Sequence, residues 1–288
     1  MRIVTEDIFS LLRIGDWSKA VFVLIGVFYA TALTYLGKAL LAALAFCFVS
    51  SAVYIYNDLL DQEKDRLHPQ KCYRPLAIHE SLVHLALIML FLLLMAGFLL
   101  AWSISIKFFY ILSAYVLINL LYNHALKNII FIDVFSIASG FLLRVLAGTV
   151  GIGLALSYWL AATATVLSLF IALCKRRLEK QMELKGTRDV LAKYSFAFLD
   201  RLIYITMIIA VTTYFFYALN APRSQIYFLI TTIFAILGLM RFTNLVMGNK
   251  AANDDPLLLF WHDSISVVNG SCFLLLTVYA LISQQFPL

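Results

Sequence analysis

Three aspartates lie close together in the sequence and could act as one group. Asp58, Asp61 and Asp65 are spaced three and four residues apart and follow Asn57 directly. On a helix this spacing places all three carboxylates on one face. Mg²⁺ binds oxygen ligands and commonly bridges a few carboxylates to substrate phosphates. The spacing therefore predicts a magnesium site. A solvated acidic helix end is the alternative, although a helix C-terminus is a poor place for negative charge.

Basic side chains follow the aspartates in the same short segment. They are Arg66, His68, Lys71 and Arg74. Carboxylates that hold a metal, next to cations that bind phosphate oxygens, are suited to a magnesium-bound polyphosphate. Ordinary positive-inside anchoring at the membrane surface could account for about half of these cations.

Further polar residues occur near the ends of apolar runs later in the chain. As candidate site residues we take Tyr122, Lys127, Lys175, Arg176, Glu179 and Tyr194. Tyrosine and lysine at such positions are often interfacial anchors, and a Lys-Arg-Arg run often ends a span, so anchoring is the alternative for each.

Two ionisable residues fall inside an apolar run. An ionisable residue within a membrane span is a functional-site hypothesis by default. Asp133 and Arg144 are eleven residues apart, which is three helical turns, so they share a face but lie too far apart to pair directly. Arg144 is therefore expected either to meet another helix or to bind a phosphate deep in a cavity.

The elements that must position these residues are membrane helices. The chain is 63% hydrophobic and 13% charged, whereas a soluble domain is about half apolar and a quarter charged. A span needs roughly 20 apolar residues, and lipid leaves the helix as the only sensible backbone for such runs. We predict nine spans, over 20–37, 39–57, 83–102, 107–123, 129–151, 156–174, 202–219, 225–240 and 265–283.

The distribution of the 22 Lys and Arg residues predicts the orientation. Most of them fall at the N-terminus and in the segments 58–82, 124–128, 175–201 and 241–264. Cytoplasmic loops carry such an excess, so we expect a multi-pass protein of the inner, cytoplasmic membrane with its N-terminus and active site on the cytoplasmic side. The same bias explains most of the net charge of +6, and no nucleic-acid partner is expected.

The pattern Asn57-Asp58-x-x-Asp61-x-x-x-Asp65 resembles the first aspartate motif of the UbiA superfamily of membrane transferases. Within it, the chain is most similar to the decaprenyl-phosphate phosphoribosyltransferases, from about Leu11 to Asp263. The residues that carry this narrower resemblance are Asp65-Arg66-x-His68-Pro69-x-Lys71-x-x-Arg74-Pro75, Leu126-Lys127, Asp133-Val134-Phe135, Ser139-Gly140-Phe141, Arg144-x-x-Ala147-Gly148, Lys175-Arg176-Arg177-x-Glu179 and Tyr194-Ser195-x-x-Phe198-Leu199-Asp200.

The resemblance implies an all-α membrane bundle of about nine helices that forms a single transferase domain over residues 1–288. It implies that Asp58, Asp61 and Asp65 bind Mg²⁺ and take part in catalysis together with Lys127. The implied substrate contacts are Lys19, Asn57, Arg66, Lys71, Arg74, Tyr122, Arg144, Lys175, Arg176, Glu179 and Tyr194.

Two departures from the superfamily pattern affect the expected substrate. Prenyltransferases of the superfamily carry a second Asp-x-x-x-Asp motif after the sixth span, and no such motif occurs between 175 and 201. Enzymes of the phosphoribosyl branch often carry an N-terminal Arg-Pro-x-Gln-Trp-x-Lys pattern, of which only Arg13, Trp17 and Lys19 are present. The first departure puts a prenyl diphosphate donor held by two metal clusters in doubt.

The resemblance implies that 5-phosphoribose moves from phosphoribosyl diphosphate to a polyprenyl phosphate lipid, with release of diphosphate. A polyprenyltransferase that acts on an aromatic acceptor is the alternative enzyme. A transporter or channel is the alternative class, but its charges would follow a continuous path across the membrane, whereas here they crowd at one side. The sequence leaves both a monomer and a homo-oligomer open.

Overall fold

Every regular element of the computed structural model is helical across the residues that it describes, which are 5–29, 32–67, 71–181, 194–221, 225–248 and 256–285. The predicted all-α fold class is therefore confirmed.

The α-helices differ widely in length. They are α1 (Thr5–Leu12), α2 (Val21–Tyr29), α3 (Leu36–Leu60), α4 (Gln62–Arg66), α5 (Pro75–Ile78), α6 (Val83–Ile104), α7 (Ile106–His124), α8 (Ile132–Ala147), α9 (Tyr158–Gln181), α10 (Phe196–Leu219), α11 (Gln225–Gly248), α12 (Pro256–His262) and α13 (Ser264–Gln285). Short 3-10 helices cover Ile14–Ala20, Leu33–Tyr35, Lys71–Tyr73, Glu80–Leu82, Leu126–Asn128 and Val150–Ile152.

Eight helices within the described ranges are long and apolar enough to cross a membrane. They correspond to the second to ninth predicted spans. The first predicted span, 20–37, instead contains α2 and the 3-10 helix Leu33–Tyr35. Helix α2 directly follows the 3-10 helix Ile14–Ala20, and residues 30 and 31 lie outside the described ranges. The predicted bundle of about nine membrane helices is confirmed.

Contacts between Cα atoms divide the chain into two compact units. The first unit contains Met1–Val27, Ala32–His124 and Leu143–Ala155, and the second contains Phe28–Thr31, Ala125–Leu142 and Leu156–Leu288. The division passes through α8, whose first part belongs to the second unit and whose last turns belong to the first unit.

Close packing of α3 against α6 dominates the first unit. Ala42 and Ala45 on α3 are fully buried, and small side chains of this kind let membrane helices approach each other closely. Gly97 on α6 lies at the contact, where an added Cβ would come within 2.5 Å of the Val49 side chain. This packing fixes α3, whose C-terminal end carries the aspartates.

The second unit has its own apolar core, built mainly by α9 and α10. Phe170 of α9 and Leu199 and Ile203 of α10 are almost completely buried and pack with Val246 of α11. Val134 from the first turn of α8 joins the same cluster. The core therefore holds the start of α8 against the end of α9, where several of the predicted site residues lie.

Candidate active site

The aspartate segment retains helical spacing across a break between two helices. Helix α3 ends at Leu60, Asp61 adopts φ −100° and ψ 10°, and α4 begins at the next residue. The Asp61 N–H donates to the Asn57 carbonyl at 3.0 Å, and the Asp65 N–H donates to the Asp61 carbonyl at 2.8 Å. Asp58 and Asp65 are each only 5% exposed, whereas Asp61 is partly exposed.

Arg74 connects the two buried carboxylates. Its Nη1 atom donates to Asp58 Oδ1 at 2.9 Å and to Asp65 Oδ2 at 2.6 Å. Arg74 lies directly before α5, whose first residue is Pro75. Proline is favoured at this helical position because its fixed φ suits the first turn and no donor is lost there. One guanidinium nitrogen thus occupies the point on which both carboxylates converge.

Arg13 reaches the same group from the N-terminal segment. Its Nη2 atom lies 2.5 and 2.8 Å from the two carboxylate oxygens of Asp58. Burial lowers the pKa of Arg13, but attraction and hydrogen bonding to Asp58, together with the smaller effects of Asp16 and Tyr54, outweigh burial and raise the pKa. Arg13 also has φ 49° and ψ 51°, a left-handed conformation that costs a non-glycine residue on the order of 1 kcal/mol. The sequence placed Arg13 in a family pattern but did not identify it as a site residue.

An apolar cluster brings these three segments together. Leu11, Ile55 and Leu76 are each at most 2% exposed and belong to one core cluster. They lie two or three residues from Arg13, Asp58 and Arg74, respectively. In addition, Trp17 Nε1 donates to Ser51 Oγ at 3.0 Å, and Ser51 Oγ donates to the Leu12 carbonyl at 2.6 Å. Burial of these leucine and isoleucine side chains therefore positions the charged group of Arg13, Asp58 and Arg74.

The residue types of this group fit a magnesium ion, but the group is not assembled as a set of three ligands. Within the described ranges, no three His, Cys, Asp or Glu side chains are gathered in a geometry that could hold a metal. Asp58 and Asp65 nevertheless offer hard oxygen donors to one shared cation position, as Mg²⁺ requires. The structure fills that position with the guanidinium of Arg74.

The other cations of this segment have different surroundings. Arg66 donates to Glu80 Oε1 at 2.6 Å and to the Ala77 carbonyl at 3.1 Å, and both charged groups of that pair are exposed. The backbone of Lys71 belongs to a 3-10 helix, but its side chain lies outside the described part of the chain. His68 also lies outside that part.

Lys19 and Arg144 are both found in the first unit, among aromatic rings. Lys19 Nζ lies 2.5 Å from Asp16 Oδ1 and 3.4 Å from the Tyr54 hydroxyl. The guanidinium of Arg13 also lies over the Tyr54 ring, 5.0 Å from its centroid. This ring therefore connects Lys19 to the arginine–aspartate group by cation–π contacts.

Arg144 is 5% exposed and donates to the Tyr115 hydroxyl at 3.2 Å. Its guanidinium lies over the rings of Phe46 and Tyr115, 5.3 and 5.0 Å from their centroids. Of the two roles expected for Arg144, contact with other helices is therefore observed, because these rings belong to α3 and α7.

In the second unit, four predicted or candidate residues form one buried network. Arg176 and Asp133 are both completely buried, with Arg176 Nε 2.6 Å from Asp133 Oδ2. This contact is an ion pair whose N–H is not well aligned for a hydrogen bond. Arg176 also forms an ion pair with Glu179, and the Tyr194 hydroxyl donates to Asp133 Oδ1 at 2.7 Å.

The Tyr194 oxygen also accepts the Phe131 N–H at 2.7 Å. Burial, strengthened by the hydrogen bond to Asp133, raises the pKa of Tyr194 well above its usual range, so the phenol remains a proton donor to Asp133 at neutral pH. The network ties the segment before α10 to the first turn of α8 and the end of α9.

The remaining predicted residues are partly exposed near helix ends. Tyr122 lies in the last turn of α7 in the first unit, Lys127 lies in the 3-10 helix Leu126–Asn128, and Lys175 lies near the end of α9. Lys127 and Lys175 belong to the second unit together with Arg176, Glu179 and Tyr194. Residues 182–193 of the charged segment after α9 lie outside the described ranges.

A sequence profile of the UbiA prenyltransferase family matches residues 20–264. The chain belongs to this family. The predicted superfamily and the enzyme class, a membrane transferase, are thereby confirmed at the level of the family. The UbiA profile includes the aspartate segment and the buried network, but leaves out the segment that carries Arg13 and Lys19.

Two curated relatives of this UbiA chain carry a narrower name. A decaprenyl-phosphate phosphoribosyltransferase from Mycolicibacterium smegmatis is 30% identical over 191 residues, which cover 65% of this chain and 60% of that protein. One from Corynebacterium glutamicum is 33% identical over 189 residues, which cover 61% of this chain and 55% of that protein. The matches thus span only a little more than half of the relatives' length.

Solved structures support the same UbiA fold. A UbiA homolog from Archaeoglobus fulgidus, bound to GPP and Mg²⁺, superposes with a TM-score of 0.71 at 20% identity and covers 96% of this chain and 99% of that one. At 20% identity this likeness supports the fold of the chain and nothing more specific.

Proposed function

We propose that the chain catalyses Mg²⁺-dependent transfer of 5-phosphoribose from phosphoribosyl diphosphate to a polyprenyl phosphate, with release of diphosphate. The observation that carries the proposal is the distribution of charge. One pair of converging carboxylates, Asp58 and Asp65, lies in the first unit. Near the charged C-terminal end of α9, the carboxylate of Glu179 is paired with Arg176. Asp133 of α8 is paired with the same arginine. A second acidic metal cluster is therefore not expected among the described residues there.

Charge also favours the ribosyl donor over a prenyl donor. Phosphoribosyl diphosphate carries a 5-phosphate in addition to its diphosphate, so it needs more cationic contacts than a prenyl diphosphate does. We assign Lys127 a part in catalysis. The proposed phosphate contacts are Lys19, Arg66, Lys71, Arg74, Arg144, Lys175 and Arg176, with Asn57, Tyr122, Glu179 and Tyr194 as further substrate contacts. The names of the curated relatives support the same choice.

The proposed chemistry requires little proton transfer. Mg²⁺ held by Asp58, Asp61 and Asp65 would neutralise charge on the departing diphosphate. An oxygen of the lipid phosphate forms a bond to the anomeric carbon, while the bond from that carbon to the diphosphate oxygen breaks and the electron pair leaves with diphosphate. Because the lipid phosphate is already ionised, the protein needs no strong general base and contributes mainly positioning and cationic stabilisation.

The proposed substrates also agree with the proposed location. The donor is water-soluble, whereas the acceptor phosphate lies at a membrane surface. We place the protein in the inner membrane with α4 and α5 on the cytoplasmic side, where the excess of Lys and Arg favours them. A homo-oligomer is compatible with this arrangement.

The family name gives one specific reason to keep an alternative, a prenyltransferase acting on an aromatic acceptor. Ligand protection distinguishes the two. With Mg²⁺ present, phosphoribosyl diphosphate should raise the melting temperature of the purified protein in detergent, because a ligand that binds only the folded state stabilises it by mass action. Geranyl diphosphate with the same metal should protect much less. A larger shift with geranyl diphosphate and none with the ribosyl donor would favour the prenyltransferase.

A further inference from the structure

We infer that Arg74 is a positioning residue that competes with the metal: it occupies the cation position between Asp58 and Asp65 until a divalent ion displaces it. The inference rests on the proposed function only in taking a divalent metal and a diphosphate as the ligands of this site. Its geometric basis is one nitrogen, Arg74 Nη1, that lies 2.9 Å from Asp58 and 2.6 Å from Asp65.

Burial explains why this position must hold a cation. Asp58 and Asp65 are each 5% exposed, and buried carboxylates are strongly destabilising unless they are paired and hydrogen-bonded. Arg74 pairs with both carboxylates at once. Of the two, Arg13 contacts Asp58, through both of its oxygens. Removal of Arg74 from the carboxylates is therefore unfavourable unless another cation replaces it.

The charge balance of the group indicates that a divalent ion replaces Arg74 and does not bind beside it. Two carboxylates and two guanidinium groups are neutral together. A divalent ion added beside an unmoved Arg74 would bring like charges together in a buried place, where repulsion is poorly screened. Arg74 has a route out, because its side chain is 24% exposed while those of its two partners are 6% and 7% exposed.

Exchange would couple metal binding to diphosphate binding. A displaced guanidinium loses its carboxylate partners, and a diphosphate beside the metal offers it oxygens in a suitable bidentate geometry. Metal alone must overcome the Arg74 contacts, whereas metal together with diphosphate supplies Arg74 with new ones. The same residue would therefore oppose binding of free metal and support binding of the metal–diphosphate complex.

The test measures Mn²⁺ binding to the purified full chain by the electron paramagnetic resonance signal of the free ion, with no phosphate present. Arg74→Gln should bind Mn²⁺ about fivefold or more tightly than the unmodified protein, as is typical of coupled binding events. Arg66→Gln removes the same charge from the same segment but breaks only an exposed pair with Glu80. Arg241→Gln removes an arginine paired with Asp263 in the second unit.

Both control variants should stay within about twofold of the unmodified protein, since exposed pairs contribute little. Unchanged or weaker Mn²⁺ binding by Arg74→Gln would overturn the inference. Equal tightening by Arg66→Gln would also overturn it, because it would reveal a general field effect instead of exchange at one position.

A second measurement needs no variant and covers the case in which Arg74→Gln does not fold. Phenylglyoxal modification of Arg74, followed by peptide mass spectrometry, should increase when Mn²⁺ is added to the unmodified protein. Modification that Mn²⁺ leaves unchanged or lowers would contradict exchange. Neither measurement uses a ribosyl donor or a lipid acceptor, so failure of the phosphoribosyl assignment would leave both outcomes interpretable.

Discussion

Replacement of Asp58 with Asn should lower the turnover rate by at least about 100-fold, the loss typical of removing one preorganised group that acts on developing charge. Asp58 contacts two cations of the site, Arg13 and Arg74. The amide keeps the shape of the side chain but removes the negative charge that would hold Mg²⁺. The measurement is the initial rate at saturating donor, acceptor and Mg²⁺.

Asp263→Asn is the matched control for this variant. Asp263 also pairs with an arginine, Arg241, with Nη2 to Oδ1 at 2.6 Å, and the Arg241 contact together with Ser266 holds the pKa of Asp263 well below its usual range. It lies in the second unit, outside the proposed metal group. Asp263→Asn should therefore retain activity. Near-normal turnover by Asp58→Asn would exclude Asp58 as a principal metal ligand.

Replacement of Arg176 with Met should destabilise the protein by about 3–5 kcal/mol, because loss of one partner leaves a buried, uncompensated charge. The charge left behind is Asp133, which is completely buried beside Arg176. The measurement is the free energy of unfolding in mixed micelles, with titrated denaturing detergent. Combined replacement of Arg176 with Met and Asp133 with Leu should recover much of the loss, since an apolar pair of similar volume removes the buried charge.

Arg177→Met provides the comparison at the adjacent position. Arg177 pairs with Asp200 at 2.9 Å in a partly exposed pair, and it also contacts Gln181 and the Phe196 ring. Because solvent reaches this pair, its loss should cost clearly less than that of Arg176, on the order of 1 kcal/mol. If Arg176→Met is as stable as Arg177→Met but has a raised Michaelis constant for the donor, Arg176 acts only as the proposed substrate contact and does not also join α8 to α9. Equal stability of the two variants would contradict the structural role.

Local spacing predicted the parts of the site that lie within one segment. Asp58, Asp61 and Asp65 could be grouped because helical geometry relates residues three and four apart, and this relation survives the break at Asp61. The cations that follow in the same segment then extended the group to Arg74. Two of the three carboxylates, Asp58 and Asp65, converge on a cation, the guanidinium of Arg74, and the magnesium site stays a prediction.

Contacts between distant segments could not be predicted from spacing. Arg13 lies 45 residues before Asp58, and only the packing of Leu11 with Ile55 and Leu76 brings it there. Similarly, Asp133 was considered with Arg144 on the same helix, whereas its partner is Arg176 on α9. Hydropathy identifies that an ionisable residue is buried, but helix packing decides which partner it meets.

The predicted fold depended on a different kind of information. Apolar runs of about 20 residues are nearly sufficient to define long membrane helices, and eight of the nine runs contain one. The run at 20–37 has similar composition but contains the short α2. There Gly148 packs so closely that an added Cβ would lie 1.6 Å from the Val23 carbonyl oxygen, a tertiary contact that composition does not reveal.

The most direct test of the proposed function follows the ribose. Purified protein is incubated with Mg²⁺, phosphoribosyl diphosphate labelled in the ribose, and a polyprenyl phosphate, and the organic phase is then extracted and counted. We expect label in the lipid phase that requires the lipid phosphate, disappears with EDTA and returns with excess Mg²⁺. An organic phase without label, from protein that instead transfers a prenyl group from geranyl diphosphate to an aromatic acceptor, would contradict the account.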